Sequence, residues 1–85
     1  MKEFQYTIKD QVGIHARPAG LLVREASTLN SVVTLECKGK QAEAKKLFSV
    51  MGLGVQCGET VTVKVEGKNE EADAKVLQDF FEKTF

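Results

Sequence analysis

The sequence lacks tryptophan and any long apolar run, and it holds only one proline and one histidine. Its 85 residues are too few for several domains, because chains divide into domains only beyond about 200 residues. Residues 1–6 carry charges where a secretory signal needs an apolar stretch. No segment approaches the roughly 20 apolar residues of a membrane helix. We therefore expect a single domain over residues 1–85 that is cytoplasmic and does not insert into membranes.

Cysteine is also scarce. Cys37 and Cys57 have neither CxxC nor any other metal-ligand spacing, and the one histidine cannot complete a zinc site with them. This pattern favours two free thiols in a reducing compartment. The spacing also leaves open the alternative of a disulfide between them.

An excess of charge of one sign is missing as well. Twelve Lys and Arg residues balance twelve Asp and Glu residues, so the chain lacks the basic footprint of a nucleic-acid binder. The balance differs along the chain, because residues 15–46 hold six cations and three anions, whereas residues 67–85 hold three cations and five anions. The basic region favours rapid encounter with acidic partners.

What the sequence does contain is a regular succession of strand and helix patterns. Alternating apolar residues and turn signals predict strands at 4–8, 33–37, 41–43 and 61–65. Apolar residues at helical spacing predict helices at 16–29, 47–53 and 70–85. Asn69 is a good N-cap for the last helix. The order β-α-β-β-α-β-α predicts an α+β open-faced sandwich.

The single histidine, His15, stands directly before the first helix, in Gly13-Ile14-His15-Ala16-Arg17-Pro18. A helix N-terminus leaves backbone N–H groups without partners and carries a partial positive charge, so it binds anions such as phosphate. The Ala16 and Arg17 amides are free to donate, and Pro18 holds the first turn rigid. A neutral imidazole is a nucleophile, and the Arg17 guanidinium suits phosphoryl oxygens. The motif therefore predicts phosphoryl transfer through His15, with a capping or surface histidine as the alternative.

The first and second helices have apolar residues outside their buried stripes. On the first helix, Leu21 lies between Arg17 and Arg24, opposite the stripe. On the second, one side holds Leu47, Phe48 and Met51, and the other holds Val50 and Leu53. A short surface helix buries only one side, and an exposed apolar patch usually marks a partner surface. The alternatives are one stray exposed leucine, and a second helix that buries nearly all of its apolar residues.

With these residues, the chain resembles the HPr phosphocarrier family of the bacterial phosphoenolpyruvate-dependent sugar phosphotransferase system. The similarity spans essentially the whole chain. The segment from Gly13 to Ala19 resembles the family's phosphorylation-site motif, and the segment from Lys45 to Gly54 resembles its second signature region. Gly58 and Gly67 also fit the family pattern.

The resemblance implies a βαββαβα open-faced sandwich, in which a four-stranded antiparallel sheet carries three helices on one side. It implies that His15 accepts a phosphoryl group on Nδ1 from phosphorylated Enzyme I and passes it to the IIA domain of a sugar permease. Arg17, together with Ala16 and Pro18 at the helix start, would hold the phosphoryl group. The chain would be a monomeric phosphotransfer intermediate rather than a turnover enzyme, and no metal or organic cofactor is implied.

The resemblance also implies a docking surface for these partners, comprising Arg17, Gly20, Leu21, Arg24, Lys45, Lys46, Leu47, Phe48 and Met51. The chain departs from the family at one of these positions. Many members, chiefly from Gram-positive bacteria, carry there a regulatory serine that an ATP-dependent kinase phosphorylates, whereas this chain has Lys46. Ser49 lies three residues further along and faces elsewhere. We expect no regulation by that serine route.

Two other functions remain as alternatives. One is a regulatory member of the same fold, of nitrogen or catabolite-control type, that binds a transcription factor or a metabolic enzyme. The other is a small nucleic-acid-binding domain, but such domains stack bases on exposed sheet aromatics. The only strand aromatics here are Phe4 and Tyr6, whose alternation points both of them towards the core.

Overall fold

A computed structural model describes residues 1–85. The elements follow the expected order: β1 (Lys2–Thr7), α1 (Ala16–Ser27), β2 (Val32–Cys37), β3 (Lys40–Glu43), α2 (Leu47–Gly52), β4 (Thr60–Glu66) and α3 (Glu70–Thr84). All four strands form one antiparallel sheet in the order β1-β4-β2-β3. None of the three helices combines the length and apolar character needed to cross a bilayer.

The sheet is covered on one face only. In β4 the valines Val61, Val63 and Val65 are fully buried, whereas Thr62 and Lys64 alternate with them on the opposite, polar face. The helices pack on the apolar face, where α3 contacts β1 and β4 and α2 contacts β3. The predicted open-faced sandwich is therefore confirmed.

Several element ends differ from the expectation by one or two residues, and local hydrogen bonds mark two of them. The strand predicted at 4–8 ends at Thr7, although Ile8 is buried and its amide donates to the Glu59 carbonyl at 2.9 Å. The helix predicted at 16–29 ends at Ser27. It ends there because the amide and the hydroxyl of Thr28 both donate to the Glu25 carbonyl, at 3.2 and 2.7 Å, and tighten the last turn.

All aromatic residues except Phe48 form one cluster beneath the sheet. The rings of Phe4 and Tyr6 meet the buried Phe81 of α3 edge-on, at centroid distances of 5.9 and 5.7 Å. Edge-to-face contacts of this kind stabilise the core beyond the area they bury. The strand aromatics point towards the core, as the alternation predicts, and they offer no stacking platform for bases.

The N-terminus of α3 corrects another expectation. Asn69 occupies the N-cap position, but its side chain makes no capping hydrogen bond. Instead the Glu70 carboxylate accepts a hydrogen bond from the Gly67 amide at 3.2 Å. Asp73 is buried and accepts a hydrogen bond from the Ser31 hydroxyl at 2.6 Å.

Both cysteines are free thiols. Cys37 is buried in the core, and burial raises the pKa of its thiol above the ordinary value. Cys57 is exposed in the loop that precedes β4. The alternative of a disulfide between them is not realised in this fold.

Candidate functional site

His15 is the N-cap residue of α1. Its backbone is extended, with φ −103° and ψ −177°, and its carbonyl accepts the Ala19 amide at 2.9 Å. Its side chain makes no hydrogen bond to the helix start and remains partly exposed. The imidazole is therefore not a helix cap, so of the two alternatives for His15, a capping or a surface histidine, the first is wrong.

The start of α1 is electrostatically open. The amides of Ala16 and Arg17 donate to no carbonyl of the chain, and Pro18 has no N–H group. The first turn contains no acidic side chain. The exposed guanidinium of Arg17 takes part in none of the five ion pairs of the structure. The first turn after His15 thus combines unpaired amides, partial positive charge and a free cation, which are the features that a phosphoryl group requires.

The loop before His15 rests on the backbone that follows α2. Gly13 has φ +77°, and a Cβ there would lie 2.3 Å from the Val55 carbonyl oxygen and 2.8 Å from Gln56 Cα. The Ile14 amide donates to the same carbonyl at 3.0 Å. Only glycine fits this approach, for both its backbone angle and its lack of a side chain. The position of Val55 and Gln56 therefore determines where His15 sits.

A turn over residues 56–59 supports that backbone. The Glu59 amide donates to the Gln56 carbonyl at 3.1 Å, and one Glu59 carboxylate oxygen accepts the Gln56 amide at 2.8 Å. The other carboxylate oxygen pairs with the ammonium of Lys38, in the turn between β2 and β3. The pKa of the Glu59 carboxyl lies below its ordinary value, mainly because of the hydrogen bond from the Lys38 ammonium and next because of the one from the Gln56 amide.

Sequence reasoning missed this support because Lys38 and Glu59 are far apart in the chain. The signal that could have found the turn is a pair of glycines on either side of residues 55–57. Gly54 and Gly58 both adopt positive φ, at 62° and 88°. Two glycines at such spacing indicate a tightly turned segment, but not what its carboxylate binds.

The exposed apolar residues of the two site helices are Leu21 at 45%, Leu47 at 37%, Phe48 at 85% and Met51 at 37% exposure. We call these four side chains the apolar patch. On the other side of α2, Val50 and Leu53 are buried. The short helix thus buries one side and exposes the other, and the alternative in which it buries nearly all its apolar residues is wrong.

Helices α1 and α2 contact each other, and bonds at their two ends indicate that they run antiparallel. The bond from Ile14 to Val55 joins the start of α1 to the chain just after α2. At the other end the Lys45 ammonium, just before α2, donates to the Leu29 carbonyl just after α1, at 3.0 Å. The structure therefore places Lys45 at the far end of α1 from His15, about 18 Å along a 12-residue helix.

The remaining predicted site residues differ in how free they are. Arg24 is exposed two turns after Arg17, and nothing lies within 4 Å of the position a Cβ on Gly20 would take. The ammonium of Lys46 pairs with the Glu43 carboxylate at 2.8 Å, and this hydrogen bond raises the pKa of the lysine. Both lysines before α2 thus have partners within the chain, whereas the two arginines do not.

Comparison with known proteins gives one consistent result. Residues 2–83 match the family model described as the PTS HPr component phosphorylation site. The chain is 39% identical over 84 residues to phosphocarrier protein HPr of Mycoplasma genitalium, an alignment that covers 98% of this chain and 96% of the relative.

Solved structures agree. HPr-C-His from Thermoanaerobacter tengcongensis is 41% identical, with a TM-score of 0.93 and coverage of 100% of this chain and 96% of that one. A mycoplasma histidine-containing phosphocarrier protein is 30% identical, with a TM-score of 0.94 and coverage of 98% and 94%.

Proposed function

Because the chain belongs to the HPr family of phosphocarrier proteins of the phosphotransferase system, we propose that it carries the phosphoryl group on His15. The donor is phosphorylated Enzyme I, and the acceptor is the IIA domain of a sugar permease. One observation carries the proposal: the His15 imidazole stands uncapped beside the open N-terminus of α1.

The chemistry requires little beyond positioning and charge. A lone pair on a neutral ring nitrogen, Nδ1 by the family resemblance, attacks the phosphorus. The new N–P bond forms as the bond to the donor breaks, and the ring proton stays on the other nitrogen. The amides of Ala16 and Arg17 and the Arg17 guanidinium stabilise charge on the phosphoryl oxygens. When the acceptor attacks the phosphorus, a new bond to the acceptor forms as the N–P bond breaks, and the electron pair returns to the ring nitrogen. The amides and the guanidinium let the group leave because they hold it by hydrogen bonds alone.

The test is incubation with Enzyme I and phosphoenolpyruvate, followed by mass spectrometry of the intact chain. The wild type should gain one phosphoryl group that is labile in acid and stable in alkali, and His15→Ala should gain none. Gln78→Ala, an exposed change on α3, is the control and should behave as wild type. A mass gain that persists in His15→Ala contradicts the proposal.

We further propose that the apolar patch binds both protein partners. Phe48 is the most exposed of its members, so Phe48→Ala should change the free energy of unfolding by less than about 0.5 kcal/mol. The same change should raise the KM for phosphorylated Enzyme I roughly fivefold or more, because aromatic residues dominate binding at such surfaces.

Val50→Ala is the matched control, since Val50 lies two residues away on the buried side of α2. It should lower the free energy of unfolding by about 1–3 kcal/mol and leave the KM nearly unchanged. If Phe48→Ala unfolds the chain, or leaves the KM at the wild-type value, the assignment of the surface is wrong.

The absence of regulation through residue 46 is also a proposal. Lys46 keeps a positive charge there and pairs with Glu43, and a lysine cannot accept phosphate as a serine does. Incubation with an HPr kinase and ATP should leave the wild type unmodified, whereas Lys46→Ser should restore an acceptor. A stoichiometric phosphoserine in the wild type, at Ser49 or elsewhere, contradicts this proposal.

A further inference from the structure

The place of His15 depends on backbone outside its own loop. Gly13 lies so close to Val55 and Gln56 that even a methyl group would collide with the Val55 carbonyl, and the Ile14 amide is bonded to that carbonyl. A shift of residues 55–56 should therefore move the Gly13–Ile14 backbone, and His15 with it. Transfer between groups that must be aligned is sensitive to such shifts, since a misplacement of about 1 Å can cost up to about 100-fold in rate.

Residues 55–56 are held by the turn that follows them, and Glu59 is the side chain that closes this turn. Its side chain is 17% exposed, so the carboxylate lies against the protein rather than in open solvent. One oxygen accepts the Gln56 amide, and the other pairs with Lys38 of the neighbouring hairpin. The contacts run without interruption from Lys38 through Glu59, Gln56 and Val55 to Ile14.

We infer that Glu59 is a positioning residue: its carboxylate holds the 56–59 turn and thereby sets the place of the His15 loop. The effect on transfer rests on the proposed phosphocarrier function, whereas the effect on the loop does not. Two backbone hydrogen bonds, from Ile8 to Glu59 and from Gly58 to Ile8, also tie the turn to the end of β1. Loss of the carboxylate should therefore loosen the turn without unfolding the chain.

Hydrogen exchange of the Ile14 amide tests the loop directly. In Glu59→Ala it should quicken roughly 3- to 10-fold while exchange in β2 and β4 stays unchanged, because the loosening is local. Glu59→Gln should remain within about twofold of wild type, because its amide oxygen still accepts the Gln56 amide. Glu66→Ala is the matched control, since Glu66 is an exposed carboxylate at the far end of β4 without an ion pair.

Transfer kinetics with Enzyme I supply the second readout. In Glu59→Ala, kcat should fall roughly 3- to 10-fold at unchanged KM, because docking is intact and only alignment is lost. Glu59→Gln should restore kcat, and Glu66→Ala should keep it. A residue with a merely structural role would lower the amount of folded chain without this split between kcat and KM.

Wild-type Ile14 exchange in Glu59→Ala overturns the inference, and so does a Glu59→Gln variant as impaired as Glu59→Ala. If the alanine variant does not fold, Glu59→Asp replaces it, because a side chain shorter by one methylene cannot span both partners. Ile14 exchange in that variant must then exceed the wild-type rate, or the inference fails. If the wild type accepts no phosphoryl group from Enzyme I, the proposed function fails while Ile14 exchange still decides the role of Glu59.

Discussion

The N-terminal ends of α1 and α3 present the same partial positive charge and treat it in opposite ways. At α3 the chain supplies its own carboxylates: Glu70, Glu71 and Asp73 lie in the first turn, and Glu70 bonds the Gly67 amide. At α1 the first turn has no acidic residue, and the N-cap side chain, His15, makes no capping bond. The chain's own carboxylates neutralise the start of α3, whereas the start of α1 is left open for an anion from outside the chain.

The comparison teaches that a helix start without carboxylates is informative when the same chain places three acidic residues at the start of another helix. The charge distribution points the same way, because the three cations of residues 67–85 face five anions, whereas residues 15–46 carry an excess of three cations. The open end of α1 is thus part of a basic region, and the closed end of α3 is part of an acidic one.

Making α1 resemble α3 should have the largest effect. Ala16→Glu places a carboxylate in the exposed first turn of α1, where it repels the incoming phosphoryl group. The rate of His15 phosphorylation by Enzyme I should fall roughly 10- to 100-fold. Stability should stay the same or rise by up to about 0.5 kcal/mol, because the carboxylate suits the helix end.

Ala72→Glu is the control for this change, since it makes the same substitution at an exposed site near the start of α3. It should leave phosphorylation at the wild-type rate. Equal rates for the two variants would mean that the open end of α1 has no special part in accepting phosphate.

Truncating a side chain at the start of α3 should lower the free energy of unfolding, whereas truncating one at the start of α1 should not. Asp73→Ala leaves the buried Ser31 hydroxyl without its partner and should lower the free energy of unfolding by about 1–3 kcal/mol. His15→Ala should change it by less than about 0.5 kcal/mol, because no cap bond is lost. Urea unfolding of both variants measures the difference, and equal losses would remove the contrast between the two ends.

The closed end of α3 should also depend on pH. The pKa of Glu70 lies below its ordinary value of 4.5, mainly because of the hydrogen bond from the N-terminal ammonium and next because of the one from the Gly67 amide. A lowered pKa means that the unfolded chain binds more protons, so the stabilisation is present above that value and is lost as the pH falls through the folded-state pKa. Urea midpoints of wild type and Glu70→Gln should therefore differ at pH 7 and converge as the pH falls below the lowered pKa of Glu70. A constant gap across this range would mean that Glu70 contributes no charge interaction.

The smallest effect is expected at the opposite end of α1. Lys45→Met keeps the apolar stem and removes the ammonium that donates to the Leu29 carbonyl, which should cost about 0.5 kcal/mol of unfolding free energy. The kcat for phosphoryl transfer should stay unchanged, because Lys45 lies far from His15. A loss of transfer that exceeds the loss of stability would indicate that Lys45 contacts the partners directly, as the resemblance implies.

Much of the fold could be predicted because its signals are local. The alternation of Val61, Val63 and Val65 marks a strand with one buried face, and the stripe of Ala19, Leu22 and Ala26 marks the buried side of α1. The start of α1 beside His15 was also readable, because proline near a helix start and apolar spacing after it set the boundary. Predicted element ends therefore differ from the structure by only a few residues.

The missing parts are contacts between groups distant in the chain. No local pattern indicates that Ser31 meets Asp73, 42 residues away, or that Lys38 meets Glu59. Asn69 shows another limit of local patterns, because it stands at the N-cap position of α3 and its side chain makes no capping hydrogen bond. Propensity ranks a capping residue well, but it does not decide whether the side chain reaches the amides of the first turn.

The pairing of the first strand has a consequence for biosynthesis. Lys2 pairs with Val65 and Thr7 with Thr60, so the sheet partner of β1 lies more than 50 residues further along the polypeptide. Ribosomes extend chains from the N-terminus, and His15 emerges long before Val55 and Gln56, on which its loop rests. Contacts of such long sequence separation slow folding relative to helical proteins of equal size. A nascent chain should thus become competent to accept phosphate only after β4 has left the ribosome.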